Sequence, residues 1–275
     1  MIVYATLSQF RTHLSIPAAD TSDDARLLLA LRQATAQIDR YTTRRFAPVM
    51  QTRRFDYQMA YSLRLDLDLL ELTGITNGDG SSLSPDDVRL APTGDAAKSL
   101  ILIQPDANAL FTFDTAPELA IQVTGIWGWH DAWSQAWRAS GDTVQDASLD
   151  ADDRTISVTD ADGADALDLT PRFQVGQLLR IGEEYLHVTG VDTSADTITV
   201  VRGVRGTTAT SHAQDTPIAV YVPPCDVQAL CLRWATWLYQ QVNAGIGGGA
   251  DWLYPDDLPA DIKRLSAGLR RLRVA

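Results

Sequence analysis

The stretch LLRIGEEYLHVTGVDTSADTITVVRG, residues 178–203, decides the interpretation of the middle of the chain. It contains three short runs rich in the branched and aromatic residues that favour strands, separated by Gly, Asp and Ser turn residues. Two further runs of this kind, TISV at 155–158 and PIAVYV at 217–222, lie on either side. We therefore predict an all-β module, a small barrel or sandwich, over 138–222.

The tract before this module is predicted to be a second β region. From about 51 to 128, strand-forming residues alternate or cluster in RRFDY, LRLDLDLLELTGITNGDG and ELAIQVTGIWG, between typical turn residues. Gly78, Asp79 and Gly80 lack the alternating acids and the terminal Glu of an EF-hand loop, and they predict a hairpin turn. We expect a small sheet or a set of hairpins here.

The amino-terminal segment carries helical patterns. Thr6 and Gln9 have the spacing of a capping box, which predicts a short helix at the start of the chain. A longer amphipathic helix follows the cluster TSDD at 21–24, whose acids suit a helix amino terminus. Arg44 and Arg45 are expected to close it.

The helical period returns near the carboxyl end. Asp226 is placed to cap a helix, and a last helix is predicted from about 257 to 273, after the glycine-rich break GIGGGA. Helices at both ends that enclose β tracts predict an α+β fold. Its helical core, with β hairpins, is expected to comprise 1–137 plus 223–275, and 138–222 is expected to be an inserted β domain.

Composition limits the classes of function. The formal net charge of -12 argues against a general nucleic-acid binder, which gains affinity by releasing counterions to Lys and Arg. The tract 138–222 holds fourteen acidic and six basic residues, a net of about -8. The opening MIVYATL is not a leader, and no apolar run approaches the roughly 20 residues of a membrane span, so we expect a soluble protein. Cys225 and Cys231 are expected to be buried thiols in a reducing cytoplasm.

The residues that carry chemistry form no recognisable constellation. The four histidines, at 13, 130, 187 and 212, lie far apart without paired metal-ligand spacing. RGVRGTT at 202–208 lacks the Gly-Lys-Ser/Thr ending of a phosphate loop and is expected to be a turn between strands. Paired acids such as Glu183 and Glu184 are expected on solvated edges. We therefore predict no catalytic site, no metal and no cofactor, and expect the protein not to be an enzyme.

A tryptophan cluster allows three interpretations. Its members are Trp127, Trp129, Trp133 and Trp137, and the last two would share a face if that piece were helical. Such a cluster can be a core, a subunit-interface anchor or a sugar-stacking platform, because Trp supplies large contact area with few rotatable bonds.

The last predicted helix allows two interpretations. It combines an apolar stripe with basic residues, namely Ile262, Leu265, Leu269 and Leu272 with Lys263, Arg264, Arg270, Arg271 and Arg273. The basic residues can form a solvated helix face. Alternatively, the segment is a docking arm whose leucines enter a partner groove while its arginines meet acidic rims.

Several of these segments resemble the head-to-tail connector, or adaptor, family of tailed bacteriophages. The resemblance covers both ends and the first β tract, about two thirds of the chain, and it is carried by YATLSQFRTHLSI (4–16), DDARLLLALRQATAQIDRYTTRRFAP (23–48), LLELTGITNGDG (69–80), DVQALCLRWATWLYQQ (226–241) and LPADIKRLSAGLRRLRV (258–274). The stretch 173–213 is similar to a small β module that recurs in phage structural proteins. Short connectors lack this module.

The resemblance implies a virion protein of the neck, made in the host cytoplasm. Twelve copies would form a ring beneath the portal protein, extend the DNA channel and dock a stopper or tail-completion protein. Viral DNA would pass without specific binding, because an acidic lumen repels phosphates. No membrane is involved.

The resemblance also assigns contacts. The segment 257–273 would meet the portal, with candidates Ile262, Lys263, Leu265, Leu269, Arg270, Arg271, Leu272 and Arg273. Ring closure requires one patch of a subunit to meet a different patch of the next. Candidate interface residues are Trp127, Trp129, Trp133, Trp137, Arg44 and Arg45.

Two other functions stay open. The β module is not confined to connectors, so another neck or tail-completion protein is one alternative. A carbohydrate-binding adhesion module, with 138–222 as the reader and the tryptophans as its platform, is the other.

Overall fold

A computed structural model describes residues 1–243 and 258–271. Its helices are α1 (Leu7–His13), α2 (Asp24–Thr42), α3 (Cys225–Asn243) and α4 (Ala260–Ala267). The capping box at the start of α1 is confirmed: Thr6 Oγ1 accepts from the Gln9 N–H, and the Gln9 side chain accepts from the Thr6 N–H. Helices α1 and α2 thus begin close to where capping and periodicity predict. The prediction that Asp226 caps a helix is wrong, because α3 begins at Cys225 and Asp226 lies in its first turn. Within 258–271, α4 covers only Ala260–Ala267 of the predicted last helix.

The strands form three antiparallel sheets. The amino-terminal strands are β1 (Val49–Phe55), β2 (Ser62–Thr76), β3 (Ser82–Leu83), β4 (Val88–Ala91), β5 (Lys98–Ile103) and β6 (Ile121–Trp127). The later strands are β7 (Trp137–Thr143), β8 (Ser148–Leu149), β9 (Thr155–Ser157), β10 (Leu178–Ile181), β11 (Glu184–Asp192), β12 (Thr197–Val201), β13 (His212–Ala213) and β14 (Pro217–Tyr221). The first sheet has the order β1-β6-β2-β5-β4 with β3 beside β2, the second has the order β7-β14-β10-β11-β12-β9, and β13 pairs with β8.

The predicted fold class, α+β with a helical connector core, is wrong. Within 1–243 and 258–271 the chain is mostly β, with fourteen strands and four helices. Over 51–128, where a small sheet or a set of hairpins was predicted, the strands form one six-stranded sheet in which β6 pairs with both β1 and β2. Pairing between strands so distant in sequence depends on which strands meet in the fold, and it leaves little local signal.

The chain divides into two compact units. Residues 45–134 form one, here called the sheet unit, and 1–44 with 135–275 form the other, here called the mixed unit. All strands of the second and third sheets lie within 137–221. The predicted boundaries, 1–137 plus 223–275 around an insert at 138–222, stay a prediction.

The sheet unit has its own core. Along β2, Leu63 and Leu65 are buried while Arg64 and Asp66 are exposed, as alternation predicts for a strand with one buried face. Gly125 in β6 is required by packing, because a Cβ there would lie 2.2 Å from the Glu71 carbonyl oxygen. This close approach lets β2 and β6 pair.

The mixed unit contains all four helices and the second sheet. Helices α2 and α3 pack together, with Trp234 Nε1 donating to Gln37 Oε1 at 2.6 Å. Cys231 lies buried between them and burial raises the pKa of its thiol to about 11, so this cysteine fits the expectation of a buried thiol. Cys225 at the start of α3 is exposed, which corrects the expectation for that residue. The Val3 N–H donates to the Gly176 carbonyl at 3.0 Å, which joins the amino-terminal segment to the turn before β10 of the second sheet.

Candidate functional site: interaction surfaces

Helix α4 packs one side onto its own unit and exposes the other. Ile262 and Leu269 are buried, whereas Leu265 is 45% exposed. Arg44 Nη1 donates to the Leu269 carbonyl at 3.3 Å. Two of the predicted portal contacts therefore pack within this chain, and Leu265 is available on the outside.

The basic residues of this region also divide. Lys263 and Arg271 are half-buried, and the Arg271 N–H donates to the Thr42 carbonyl at 3.1 Å. Arg264 and Arg270 are exposed, with the Arg270 guanidinium 5.2 Å from the centre of the Tyr41 ring. Leu272 and Arg273 lie outside the described residues. We call the exposed group the basic helical face: Arg40, Arg264, Leu265 and Arg270.

Trp127 belongs to the core of the sheet unit. It is 2% exposed, stacks on Phe55 with ring centres 5.7 Å apart, and donates from Nε1 to the Gln51 carbonyl at 3.0 Å. The Arg53 guanidinium lies 5.5 Å from the ring centre. For this residue the core interpretation holds, and a surface role would require its removal from the sheet.

The other three tryptophans are half-buried. Trp129 and Trp133 both pack against the buried cluster of Leu70, Ala97 and Ile126 in the sheet unit, and Trp129 also packs edge-on against Phe46 at 5.6 Å. Trp133 lies in a single 3-10 turn and Trp137 begins β7 in the mixed unit, so this piece is not one helix and the two side chains do not share a helical face. Trp137 contacts Tyr185 at 5.1 Å and the Arg180 guanidinium at 4.8 Å.

The two candidate interface arginines differ in setting. Helix α2 ends at Thr42 and Thr43 is its cap, so the prediction that Arg44 and Arg45 close it is wrong; Arg44 follows the cap and donates to the Leu269 carbonyl just beyond α4. Arg45 is exposed in the sheet unit and, with Arg53 and Trp127, lines a cleft of about 40 Å³. Such a cleft is water-sized, so Arg45 is open to contact but does not frame a ligand pocket.

The sheet unit carries an exposed apolar surface that the sequence reasoning missed. Five of its large apolar side chains are 39% to 66% exposed. We call this group the apolar tip: Met59, Tyr61, Leu110, Phe113 and Leu119. They lie on two segments, 56–61 before β2 and 104–120 before β6, and the lack of strand alternation in 104–120 is the signal that could have indicated it.

Hydrogen bonds bring these two segments together. The Phe111 N–H donates to the Ala60 carbonyl at 2.8 Å, and the Leu119 N–H donates to Asp56 Oδ1 at 2.7 Å. The rings of Tyr57 and Phe113 lie 4.9 Å apart. The segment 104–120 is therefore bonded to 56–61 at its middle and near its end, which places the exposed side chains of the two segments beside each other.

The turn after β2 forms hydrogen bonds to the segment 104–120 of the tip. Asn77 is buried and donates from Nδ2 to the Leu110 carbonyl at 2.9 Å. Asp79 Oδ2 accepts from Thr112 Oγ1 at 2.7 Å, and hydrogen bonds from Ser81 hold the pKa of Asp79 below its ordinary value. The predicted turn at 78–80 thus exists, and it also positions the tip.

In the mixed unit, the segment that faintly suggested a phosphate loop wraps around a buried carboxylate. Glu184 accepts two hydrogen bonds from Arg202, both at 2.7 Å, and its Oε2 lies 2.8 Å from His212 Nε2. It also accepts from the N–H groups of Gly203 at 2.9 Å and Thr210 at 3.2 Å. These two N–H groups are already bonded to a carboxylate, so this segment is a structural loop and not an anion site.

The charge state of Glu184 follows from this network. Burial alone raises the pKa of Glu184, but the hydrogen bonds from Arg202, His212 and the two backbone N–H groups outweigh it. The pKa therefore lies below its ordinary value, and the group is a carboxylate at neutral pH. The expectation that Glu184 is a solvated edge residue is wrong, because its side chain is fully buried.

A second buried carboxylate organises the other loops of this sheet. Asp142 accepts from the N–H groups of Thr159 at 3.0 Å and Asp160 at 3.0 Å, and from Arg172 Nη1 at 2.9 Å. Burial alone raises the pKa of Asp142, but the hydrogen bonds from backbone N–H groups outweigh this effect, so the pKa lies below its ordinary value. Both carboxylates act as anchors for turns, as buried acids do when several donors surround them.

The described residues contain neither a metal-binding cluster nor a helix able to cross a membrane. Within 1–243 and 258–271, no group of three or more His, Cys, Asp or Glu side chains is arranged to hold a metal ion. No helix in those ranges has the length and apolar character needed to cross a bilayer. Compared with known proteins, the chain matches no family model, no curated protein and no solved structure.

Proposed function

We propose that this chain is a structural protein of a tailed-phage particle, a head-to-tail connector subunit that repeats in a ring under the portal. The observation that carries the proposal is that the chain presents two unlike surfaces, the apolar tip and the basic helical face. A closed ring needs such a pair, because one patch of each subunit must meet a different patch of the next. Exposed apolar groups of this kind mark sites of protein contact.

Charge is compatible with a DNA channel. The chain has a net charge of -12, so a ring of copies would repel the phosphates of a passing genome. Buried ion networks pair Arg202 with Glu184 and Arg172 with Asp142, so these arginines are engaged within the chain. The proposed role is therefore mechanical support and contact with other proteins, without turnover of a substrate.

The carbohydrate-binding alternative has less support. A sugar platform needs exposed aromatic faces, and Trp127 is buried against Phe55. Trp137 is covered by Tyr185, Tyr221 and Arg180. Another neck or tail-completion protein stays the nearer alternative, since it would use the same kinds of surface.

The proposal is tested by mixing the purified full-length protein with portal rings and imaging the complex. A ring of copies, twelve in the proposed symmetry, is expected against one end of the portal. Binding of single copies to the tail side of a preassembled neck, without binding to the portal, would favour the tail-completion alternative. A protein that binds neither, and that is missing from intact particles, would rule out the proposed function.

A further inference from the structure

We infer that the apolar tip of one copy binds the basic helical face of a second copy, head to tail. Each surface then has a second copy of the chain as its partner. The inference rests on the proposed function, in which copies meet around a ring axis. It also assigns Arg264 and Leu265 to contact between copies, whereas the family resemblance assigns them to the portal.

The tip selects a basic partner. Segments 56–61 and 104–120, which form it, contain four carboxylates and no Lys or Arg: Asp56, Asp106, Asp114 and Glu118. All four are exposed, on the same two segments as the apolar side chains. A ring of carboxylates around an apolar centre repels nucleic acid and anionic lipid, and it attracts a partner whose apolar centre has a basic rim.

The basic helical face has that complementary layout. Within 258–271 there are four basic residues and one acid, and this acid, Asp261, is engaged by Arg233. Arg264 is exposed and Leu265, next to it on α4, is 45% exposed; Arg270, also exposed, follows the end of the helix. Leu265 is therefore an apolar side chain with basic neighbours, opposite in charge to the tip.

A second copy is the partner these observations favour, because every chain carries both halves of the contact. Stable pairs bury about 800 Å² on each partner, and a patch of five side chains supplies less, so one contact alone is expected to be weak. Closure of a ring joins many such contacts, and each then forms at a high effective concentration. In dilute protein the contact is therefore expected to be short-lived, and a covalent cross-link is needed to detect it.

The first experiment traps the contact with a short bismaleimide. Two differently tagged full-length chains are mixed, one with Met59→Cys and one with Leu265→Cys, both with the exposed Cys225 replaced by Ser. The control pairs Met59→Cys with Leu29→Cys, because Leu29 on α2 is also an exposed leucine, at 54%. A mixed-tag dimer several-fold above the control is expected, and equal yields in both mixtures would overturn the inference.

The second experiment reverses charges across the contact. Glu118→Arg in the Met59→Cys chain should lower the cross-linked yield about fivefold, the factor that one exposed ion pair can supply. Arg264→Glu in the other chain should restore it, because the pair then has opposite signs again. A yield that ignores Glu118→Arg, or that the second change fails to restore, contradicts the assignment. Both sites are exposed, and matching thermal midpoints check that the variants are folded.

Portal binding separates this inference from the proposed function. The Arg264→Glu chain should still bind portal rings, because its side chain is assigned to the neighbouring copy. Loss of portal binding with an unchanged cross-link would overturn the inference and leave the connector role standing. A specific cross-link in a protein that is missing from phage particles would support the contact between copies and rule out the connector role.

Discussion

The two six-stranded sheets differ in how their loops are held. In the mixed unit, the loops around 159–172 and 202–212 are gathered by buried carboxylates, Asp142 and Glu184, which collect backbone N–H groups and arginines. In the sheet unit, the loops of the apolar tip are held by main-chain bonds, by the Asn77 side chain and by the exposed carboxylates of Asp56 and Asp79, and their large apolar side chains stay exposed. One set of loops is organised inward around charge, and the other presents apolar surface outward.

This difference indicates which loops are structural and which are available for contact. A loop whose donors are all committed to a buried acid has few groups left for a ligand, whereas an exposed apolar loop gains free energy only when something covers it. Three substitutions and one change of pH test which parts of the two units are structural, and they follow in order of decreasing expected loss of stability.

The largest effect is expected at Glu184. Replacement by Ala leaves Arg202, which is 5% exposed at its side chain, buried without its partner, and should cost about 3–5 kcal/mol of unfolding free energy. Glu183→Ala is the matched control, since this neighbour is exposed and should change stability by less than about 0.5 kcal/mol. Urea unfolding measures both, and equal values for the two would contradict a structural role for the network.

The core of the sheet unit should be the next most sensitive. Ile101 is fully buried, and Ile101→Ala removes packed methyl groups at a cost of about 2–4 kcal/mol. Leu110→Ala, at the tip, should leave stability nearly unchanged because Leu110 is 42% exposed. Hydrogen exchange of β5 and β6 amides measures both. A comparable loss of protection in Leu110→Ala would show that the tip belongs to the core.

Acid should weaken the mixed unit through its buried carboxylates. Because the pKa of Glu184 lies below its ordinary value of 4.5, the stability it supplies is fully present above that pH. This stability is lost as pH falls through the lowered pKa of the folded state. Glu184→Gln should therefore flatten the fall in unfolding free energy between neutral and acid pH. Urea midpoints across this range test it, and an unchanged slope in the variant would assign acid sensitivity to other groups.

The smallest effect concerns the cap of α1. Thr6→Ala removes a side-chain acceptor for the Gln9 N–H and should cost about 1 kcal/mol. Thr12→Ala, on the exposed side of the same helix, is the control and should have little effect. Thermal midpoints of the two variants decide this, and an unaffected Thr6→Ala would mean that tertiary contacts alone hold α1.

Much of the local structure was predictable from the residues. Thr6 and Gln9 predict a helix start because each side chain accepts a hydrogen bond from the other residue's backbone N–H. Alternation along 62–66 predicts a strand with one buried face. The turn at 78–80 follows from glycine and aspartate chemistry. These features depend on residues a few positions apart, so they can be predicted from the sequence without knowledge of the tertiary structure.

Other features depended on contacts between distant residues. In the sequence Glu184 does not differ from a surface acid, and only the fold brings Arg202 and His212 into contact with it. Likewise, the apolar tip forms only when 104–120 is hydrogen-bonded to 56–61. The same limit explains the wrong fold class, since nothing local indicates that β6 joins β1 and β2. By itself the sequence determined the helices, strands and turns, together with the acidic balance. The tertiary structure alone decided which carboxylates are buried and which apolar side chains remain exposed, because burial depends on partners that the chain brings together only when it folds.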